Sequence, residues 1–221
     1  MNAMTAPGAS ALSSRYAGKT VLAIGAHPDD LEIGVGGSLA RFARAGAHIV
    51  MAVVSVPSDY DTRFAEAREG ARIIGAELRV LMEGGCRRVE DLKSYELVAM
   101  LDRLIHEFSP AAVITHGNAD FHRDHLLVHN ACVPTQRLRY FDFFCFHPSM
   151  CRPVPTSFSP RAYVDVSDTI DTKMQSIMAH ASQFGGRRLS TDMYREFAHL
   201  QGRLVGVEYA EGLDVLRMIL A

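Results

Sequence analysis

Histidines and carboxylates crowd together in two short segments of this chain. The first covers residues 26–30, with the sequence Ala-His-Pro-Asp-Asp, and directly follows an apolar run at residues 21–25. The second covers residues 122–125, with the sequence His-Arg-Asp-His, and comes shortly after an apolar run at residues 111–114. Carboxylates beside an imidazole repel one another less when a divalent ion sits among them. Both segments therefore indicate metal chemistry.

The two segments can form one site if their strands are neighbours, because open α/β sheets bind ligands beyond the carboxyl ends of their strands. His27, Asp30 and His125 would then supply nitrogen and oxygen ligands and leave a fourth position for water, which is the arrangement of a catalytic zinc. Such an ion lowers the pKa of its bound water to roughly 7. The residues alone leave open which of Asp29 and Asp30 binds the ion; the other carboxylate is then placed to accept the proton of the water.

Other histidines and a glycine-rich stretch have simpler interpretations. His129 lies four residues after His125, a spacing that can bind zinc on a helix, but no glutamate follows His125 as the H-E-x-x-H motif requires. We interpret His129 as structural, together with five further histidines: His48, His106, His116, His180 and His199. Residues 34–37, Gly-Val-Gly-Gly, lack the G-x-G-x-x-G spacing of a dinucleotide-binding loop, so we interpret them as a tight turn into a helix.

Short apolar runs alternate with helical patterns along the chain. Runs rich in β-branched and aromatic residues predict buried strands at residues 20–25, 48–55, 78–82, 111–115 and 139–146. Apolar residues at helical spacing predict helices between them at residues 37–45, 63–74 and 94–108. This alternation is typical of a parallel sheet with helices on both faces. The predicted fold is α/β: a three-layer Rossmann-like fold with a mostly parallel central sheet in a single domain.

The rest of the chain is less regular. A weaker strand pattern at residues 162–166 precedes helical patterns at 168–183 and 191–205, and residues 209–221 have no assignable pattern. Residues 148–160 are rich in proline and predict a surface loop that shapes the substrate pocket. We expect residues 1–16 to form a flexible N-terminal tail and residues 17–221 to form the domain.

Composition limits the classes of partner. A net charge of −2 with scattered basic residues argues against nucleic acid and anionic membranes. The longest apolar runs, at residues 49–54 and 141–146, are too short to span a bilayer, and residues 1–14 lack the pattern of a secretion signal. The 4 cysteines have no C-x-x-C spacing, which is typical of reduced thiols. We therefore expect a cytoplasmic protein without nucleic-acid or membrane partners.

The two histidine-rich segments also resemble a known family. Residues 26–30, the following Gly36-Gly37 and the pattern His122-x-Asp124-His125 resemble the PIG-L/LmbE family of zinc-dependent N-acetyl-sugar deacetylases. Further motifs that resemble its pattern are Arg63 and Glu66 ahead of Ile74-Gly75, Val164-Asp165-Val166 ahead of a helix, and residues 180–183 near the end of that helix. The resemblance covers most of the chain. One departure is His147-Pro148, where many relatives carry an acidic residue before proline, and it concerns substrate contacts more than the metal site.

The resemblance implies a role for each matched residue. It places Zn2+ on three ligands: His27, Asp30 and His125. Asp29 is then the general base, and His122, oriented by Asp124, stabilises the oxyanion and protonates the leaving amine. Mixed nitrogen and oxygen ligands also suit other divalent transition metals.

The predicted activity is hydrolysis that removes the acetyl group from an N-acetylated amino sugar or its conjugate, releasing acetate and a free amine. A small amino-sugar molecule is the expected partner; Arg63 corresponds to an arginine that holds sugar hydroxyls, and His147 is expected to line the pocket. Two alternatives stay open: an amidase or esterase acting on another small biosynthetic intermediate, and a non-catalytic sugar- or metal-binding protein. Since relatives are often oligomers, the resemblance also allows a homo-oligomer.

Overall fold

A seven-stranded sheet forms the centre of the fold. The computed structural model describes residues 14–146, 158–184 and 191–219. The strands, numbered along the chain, are β1 (Thr20–Gly25), β2 (His48–Val53), β3 (Glu77–Val80), β4 (Ala112–His116), β5 (Asp142–Phe146), β6 (Ala162–Asp165) and β7 (Ala210–Arg217). Their order across the sheet is β3-β2-β1-β4-β5-β7-β6. Strands β1 to β5 are parallel, and β7 is antiparallel to both of its neighbours.

Helices cover both faces of this sheet. They are α1 (Asp30–Arg44), α2 (Tyr60–Ile74), α3 (Ser94–Phe108), α4 (Arg123–Cys132), α5 (Ile170–Met178), α6 (Ala181–Phe184) and α7 (Asp192–Val205). Short 3-10 helices lie at Val89–Asp91 and Val133–Arg137.

The core divides into two layers because successive side chains of a strand point to opposite faces of the sheet. Ala23 of β1 packs in the cluster that contains Leu39 of α1, whereas Leu22 packs in the cluster that contains Leu101 of α3. Strands buried on both faces need apolar residues at almost every position, which is why they appear as continuous runs in the sequence. The predicted single α/β domain with a mostly parallel central sheet and flanking helices is confirmed.

Strands β1 and β4 lie side by side, and this adjacency positions the two histidine-rich segments. Ile24 pairs with Thr115 near the carboxyl ends of these strands. The hydroxyl of Thr115 donates to the carbonyl of Ile24 at 3.0 Å, which ties the two ends together. The loops that follow β1 and β4 therefore meet at one edge of the sheet, as the sequence predicts.

Two predicted helices differ most clearly from the structure in their limits. The first helix begins at Asp30 rather than at residue 37, and the backbone of Val35 inside it is not helical. This break and the glycines around it interrupt the apolar periodicity of its first turns. The helix predicted at residues 168–183 is divided into α5 and α6, which are separated at Ala179 and His180.

The last strand is the element that the sequence did not indicate. Strand β7 lies between β5 and β6, and its first four residues are buried. Its pattern is obscured because the buried set includes Glu211, a charged residue that is 3% exposed. Buried carboxylates are tolerated when they are paired and hydrogen-bonded, as Glu211 is.

The N-terminal segment is partly anchored. Of the predicted tail, residues 1–13 lie outside the described residues, while the ring of Tyr16 is buried against Phe42 and its hydroxyl donates to Asp142 at 2.8 Å. Residues 147–157, which include His147 and most of the predicted loop at 148–160, also lie outside the described residues. Among the described helices, none combines the length and apolar character required to cross a bilayer.

Candidate active site

A cavity of about 520 Å³ opens where the loops after β1 and β4 meet. Seven of the predicted site residues line it: His27, Asp29, Asp30, Arg63, His122, Asp124 and His125. The eighth, His147, lies outside the described residues. The structure thus brings together on one surface residues that are about a hundred positions apart in the chain.

The turn after β1 places two adjacent carboxylates differently. Asp29 has a φ of 92°, a left-handed conformation that is strained for a residue with a side chain and is found preferentially at functional sites. Asp30 begins α1, and its Oδ2 accepts the backbone N–H of His27 at 2.8 Å. The turn therefore holds the Asp30 carboxylate against His27 while Asp29 lines the cavity.

The three predicted ligands meet around the carboxylate of Asp30. Its Oδ2 lies 3.7 Å from Nδ1 of His27, and its Oδ1 lies 3.3 Å from Nε2 of His125. Two ligands of a tetrahedral zinc, each about 2.0–2.1 Å from the ion, are about 3.3–3.4 Å apart. The Asp30–His125 distance matches this value, and the Asp30–His27 distance is somewhat longer. Among the described residues, two groups have ligand atoms that all lie within 4.8 Å of one another: His27, His122 and His125, and Asp30, His116 and His125.

A carboxylate holds the far nitrogen of each of these two histidines. Asp120 Oδ2 lies 2.6 Å from Nδ1 of His125, and Asp124 Oδ2 lies 2.9 Å from Nε2 of His27. Carboxylates in this position fix the orientation of a metal-binding imidazole and raise its basicity. In both rings the other nitrogen, which does not contact these two carboxylates, faces Asp30.

Asp124 contacts two histidines. We predicted that it orients His122, and its backbone N–H donates to Nδ1 of His122 at 3.3 Å, while its carboxylate is hydrogen-bonded to His27. Asp120 was missed by the sequence reasoning. Its position in the loop after β4, five residues before His125, was the available signal.

His116 forms an alternative ligand group with Asp30 and His125. Its Nε2 lies 3.3 Å from Asp30 Oδ2, and its ring stacks on His125 with centroids 4.0 Å apart. However, Nε2 already accepts the backbone N–H of Ala26 at 2.9 Å, so its lone pair is engaged. Burial, with the nearby His125, lowers the pKa of His116 to about 4, which keeps the ring neutral. His116 is therefore less suited than His27 to bind an ion through the nitrogen that faces Asp30.

Neighbouring groups of opposite charge determine the direction in which the pKa values of Asp30 and His125 move. Burial by itself would raise the pKa of Asp30, but the adjacent imidazoles of His125 and His116 hold it well below its ordinary value. Burial likewise disfavours protonation of His125, but Asp30 and Asp120 outweigh it and raise the pKa of His125 to about 10. The negative charge that stabilises a proton on His125 would equally stabilise a cation at its Nε2.

His122 lies at the mouth of the site, at the N-cap of α4. Its ring stacks on that of His125 with centroids 4.5 Å apart. Burial lowers the pKa of His122, and the imidazoles of His125 and His27 lower it further. Since Nδ1 accepts a hydrogen bond, a neutral His122 carries its proton on Nε2.

Asp29 and Arg63 also line the cavity. Burial, followed by repulsion from Asp30, raises the pKa of Asp29 to about 7. The guanidinium of Arg63 donates to the carbonyl of Pro28 at 3.0 Å and lies 3.9 Å from Asp29 Oδ1. Arg63 thus braces the turn that carries Asp29, in addition to lining the cavity.

His129 does not belong to either candidate ligand group of the described residues. It is buried, and its Nδ1 is hydrogen-bonded to the carbonyl of His116 at 2.8 Å. This contact fits the structural interpretation of His129.

Fold and site together define an α/β protein with a candidate metal centre at the carboxyl ends of its parallel strands. Residues 22–135, just over half of the chain, match the family model described as PIG-L: GlcNAc-PI de-N-acetylase. The chain therefore belongs to the PIG-L family. It is 30% identical over 193 residues to an uncharacterized deacetylase, YaiS, of Escherichia coli K12, covering 77% of this chain and 95% of that protein.

Two further proteins are similar to this chain, one in sequence and one in fold. Diacetylchitobiose deacetylase of Thermococcus kodakarensis is 24% identical over 233 residues, covering 88% of this chain and 82% of that protein. The structure of GalB, the 4-carboxy-2-hydroxymuconate hydratase of Pseudomonas putida KT2440, superimposes with a TM-score of 0.75 at 20% identity, covering 92% of this chain and 98% of that one. Because similar folds support different reactions, the activity has to be argued from the site.

Proposed function

We propose that this member of the PIG-L deacetylases is a zinc-dependent enzyme that removes the acetyl group from an N-acetylated amino sugar or its conjugate. The reaction adds water across the amide bond and releases acetate and a free amine. The substrate class is supported by the family and by the Thermococcus deacetylase, which acts on diacetylchitobiose. Other divalent transition metals suit the same ligands.

One observation carries the metal proposal. His27 and His125 are each held by a carboxylate on one ring nitrogen and present the other nitrogen to Asp30. This pairing is the usual support of metal-binding histidines and has no evident purpose for two histidines that merely pack in a loop. When bound there, zinc supplies a Lewis acid for the amide carbonyl and lowers the pKa of a water molecule.

The proposed general base and general acid are two cavity residues, one placed to accept a proton and the other to donate one. Asp29, whose pKa lies near 7, accepts the proton of the attacking water, since a general base works best when its pKa is near the operating pH. His122 presents an Nε2–H that stabilises negative charge on the amide oxygen. It protonates the leaving nitrogen as an imidazolium, after taking up the proton that Asp29 accepted from the water, and is neutral again afterwards. Arg63 holds the Asp29 turn and, through the face it presents to the cavity, contacts sugar hydroxyls.

Acetate release from a panel of N-acetylated sugars and their conjugates tests this proposal. The enzyme is first stripped with a chelator and then assayed with and without added zinc. We expect acetate and free amine in equal amounts only with the metal restored. Release of another acid, or ester cleavage in preference to amide cleavage, would support the amidase or esterase alternative. Zinc binding without turnover on any substrate would contradict an enzymatic role.

The variant His125→Ala tests the ligand assignment separately. We expect it to lose bound zinc, measured by elemental analysis of the purified protein, while its circular dichroism spectrum stays unchanged. His106→Ala is the matched control, because His106 is exposed on α3 and does not line the cavity. Equal zinc content in both variants would contradict the assignment.

A cytoplasmic location is part of the proposal. The described cysteines, Cys86, Cys132 and Cys145, are free thiols, which is typical of proteins in a reducing compartment.

A further inference from the structure

A buried ion pair is hydrogen-bonded to the backbone of the first helix of the domain, at the point where that helix is broken at Val35. The backbone of Val35, with φ −144° and ψ 15°, is not helical. The break leaves a short first segment, residues 30–34, ahead of the longer part of α1. The short segment begins with Asp30 and directly follows Asp29, so its position determines where both carboxylates lie.

Lys173 and Glu211 take over the hydrogen bond that α1 would make across the break. In an unbroken α-helix the N–H of Gly37 donates to the carbonyl of Ile33, four residues earlier. Here the Ile33 carbonyl accepts from Nζ of Lys173 at 2.6 Å, and the Gly37 N–H donates to Oε1 of Glu211 at 3.0 Å. Lys173 and Glu211 pair with each other. The ion pair therefore connects the two segments of α1 and fixes the position of one relative to the other.

The remaining hydrogen bonds of Glu211, and one from a neighbouring threonine, also go to the beginning of the longer segment. Glu211 Oε2 accepts the backbone N–H of Ser38 at 2.7 Å and its hydroxyl at 2.5 Å. Thr169, one turn before Lys173, donates to the carbonyl of Gly37 at 2.9 Å. Side chains from α5, β7 and the turn before α5 thus bind backbone groups on both sides of the break.

This arrangement is costly unless it serves a purpose beyond packing. Lys173 is 2% exposed and Glu211 3% exposed. Apolar residues of similar volume often stabilise a fold as well as or better than a buried ion pair. An unbroken helix at this point would need no side chain to satisfy Ile33 and Gly37.

We infer that Lys173 and Glu211 are positioning residues of the active site, which hold the segment at residues 30–34 so that Asp29 and Asp30 face the cavity. The inference rests on the proposed function for the roles of these two carboxylates. Neither Lys173 nor Glu211 lines the cavity. Their effect on catalysis is therefore exerted through the backbone of α1.

The double variant Lys173→Met, Glu211→Gln tests this inference. It removes both buried charges together, so neither is left unpaired, and the new amide oxygen can still accept a backbone N–H. We expect a folded protein in which kcat falls by about 10–100-fold while KM changes little, since a small misplacement of catalytic groups has effects of this size. We also expect weaker zinc binding, measured by competition with a chelator, and faster amide hydrogen exchange confined to residues 33–38.

The matched control is Asp168→Asn, which removes an exposed ion pair between Asp168 and Arg41 in the longer segment of α1. It loosens the same helix beyond the break, so we expect kcat, zinc affinity and exchange at residues 33–38 to stay at their original values. If the double variant does not fold, Ser38→Ala removes one bond of Glu211 without unpairing a charge. We expect it to lower kcat about two- to fivefold, as the loss of one ordinary hydrogen bond would.

Failure of the inference is distinguishable from failure of the proposed function. A double variant that exchanges faster at residues 33–38 but keeps its kcat and zinc affinity would show the pair to be purely structural and would overturn the inference. If the unaltered protein has no deacetylase activity, the proposed function fails. Zinc affinity and amide exchange still decide the inference in that case.

Discussion

The Nδ1 atom of His125 and the Oδ2 atom of Asp120 are 2.6 Å apart, and this contact turns the opposite ring nitrogen of His125 toward Asp30. The Asp120 side chain is fully buried. It is therefore well placed to fix the ring and to make His125 a stronger ligand.

Asp120→Asn should weaken zinc binding. An asparagine retains the shape and one acceptor oxygen but loses the charge, so we expect a loss of about 10–100-fold in affinity, the usual effect of altering the partner of a ligand histidine. The measurement is competition with a chromogenic chelator. Asp102→Asn on α3, in a surface ion pair with Arg137, is the control and should bind zinc normally. Equal affinities in the two variants would contradict the role of Asp120.

Asp29→Ala should separate metal binding from turnover. Because Asp30 rather than Asp29 contacts the two ligand histidines, we expect near-normal zinc content. Removing a general base lowers kcat by about 10²–10⁴-fold. The exposed Asp61 of α2 provides the control Asp61→Ala, which should change neither quantity. An Asp29→Ala enzyme with normal kcat would exclude Asp29 as the base.

Asp142 should make the fold sensitive to acid. Burial by itself would raise the pKa of this carboxyl group, but hydrogen bonds from Arg15, Ile219 and Tyr16 lower it below its ordinary value. A carboxylate with a lowered folded-state pKa stabilises the fold above its unfolded pKa of about 3.9. That contribution is lost as the pH falls through the lower, folded-state value.

Urea unfolding of Asp142→Asn, followed from about pH 7 to about pH 2.5, tests this dependence. At neutral pH we expect the variant to be less stable by about 1–3 kcal/mol, because buried hydrogen-bond partners lose their charged acceptor. The difference from the original protein should shrink below about pH 4, where Asp142 of the unfolded chain becomes protonated, and should vanish once the pH is below the lowered folded-state pKa. A difference that is constant over the whole range would be evidence against this origin of the acid sensitivity.

Gly34→Ala should destabilise the domain. A methyl group on Gly34 would lie 2.3 Å from Cδ2 of Phe146, a ring that is completely buried and cannot move aside. Overpacking of this kind costs about 1–3 kcal/mol. Gly36→Ala is the control, because the nearest atoms to its methyl group would be Cγ of Lys173 and Oγ of Ser176, both at 3.4 Å, an ordinary contact distance. Similar melting temperatures for both variants would argue against the close approach of α1 to β5.

The sequence predicts most of the sheet and the location of the site because both depend on local patterns. Strands buried on two faces are visible as apolar runs, and the histidine-rich segments directly follow two of them. The prediction that Asp30 is the ligand and Asp29 the base came from the family resemblance. The structure is consistent with it, since the carboxylate of Asp30 lies 3.7 Å from His27 and 3.3 Å from His125.

The contacts that the sequence could not predict are long-range ones between polar residues. Asp124 lies two positions after His122 in the motif, but its carboxylate contacts His27, 97 positions earlier in the chain. Lys173 and Glu211 have no pattern that connects them to α1, because their partners are the backbone groups that the break at Val35 releases. Strand β7 was missed because its buried residues include the charged Glu211, whose partners are distant in the sequence.

Strand β7 has a consequence for the order in which the chain acquires its native state. It is inserted between β5 and β6 although it is synthesised after both, and Glu211 reaches back 174 positions to Gly37. While the ribosome is still translating the third quarter of the message, the nascent polypeptide can pair β1 with β2 and β4, but the beginning of α1 still lacks its last partner. Premature termination before the codon for Ala210 should therefore yield a collapsed product without a competent catalytic centre, however complete its two histidine-rich segments are.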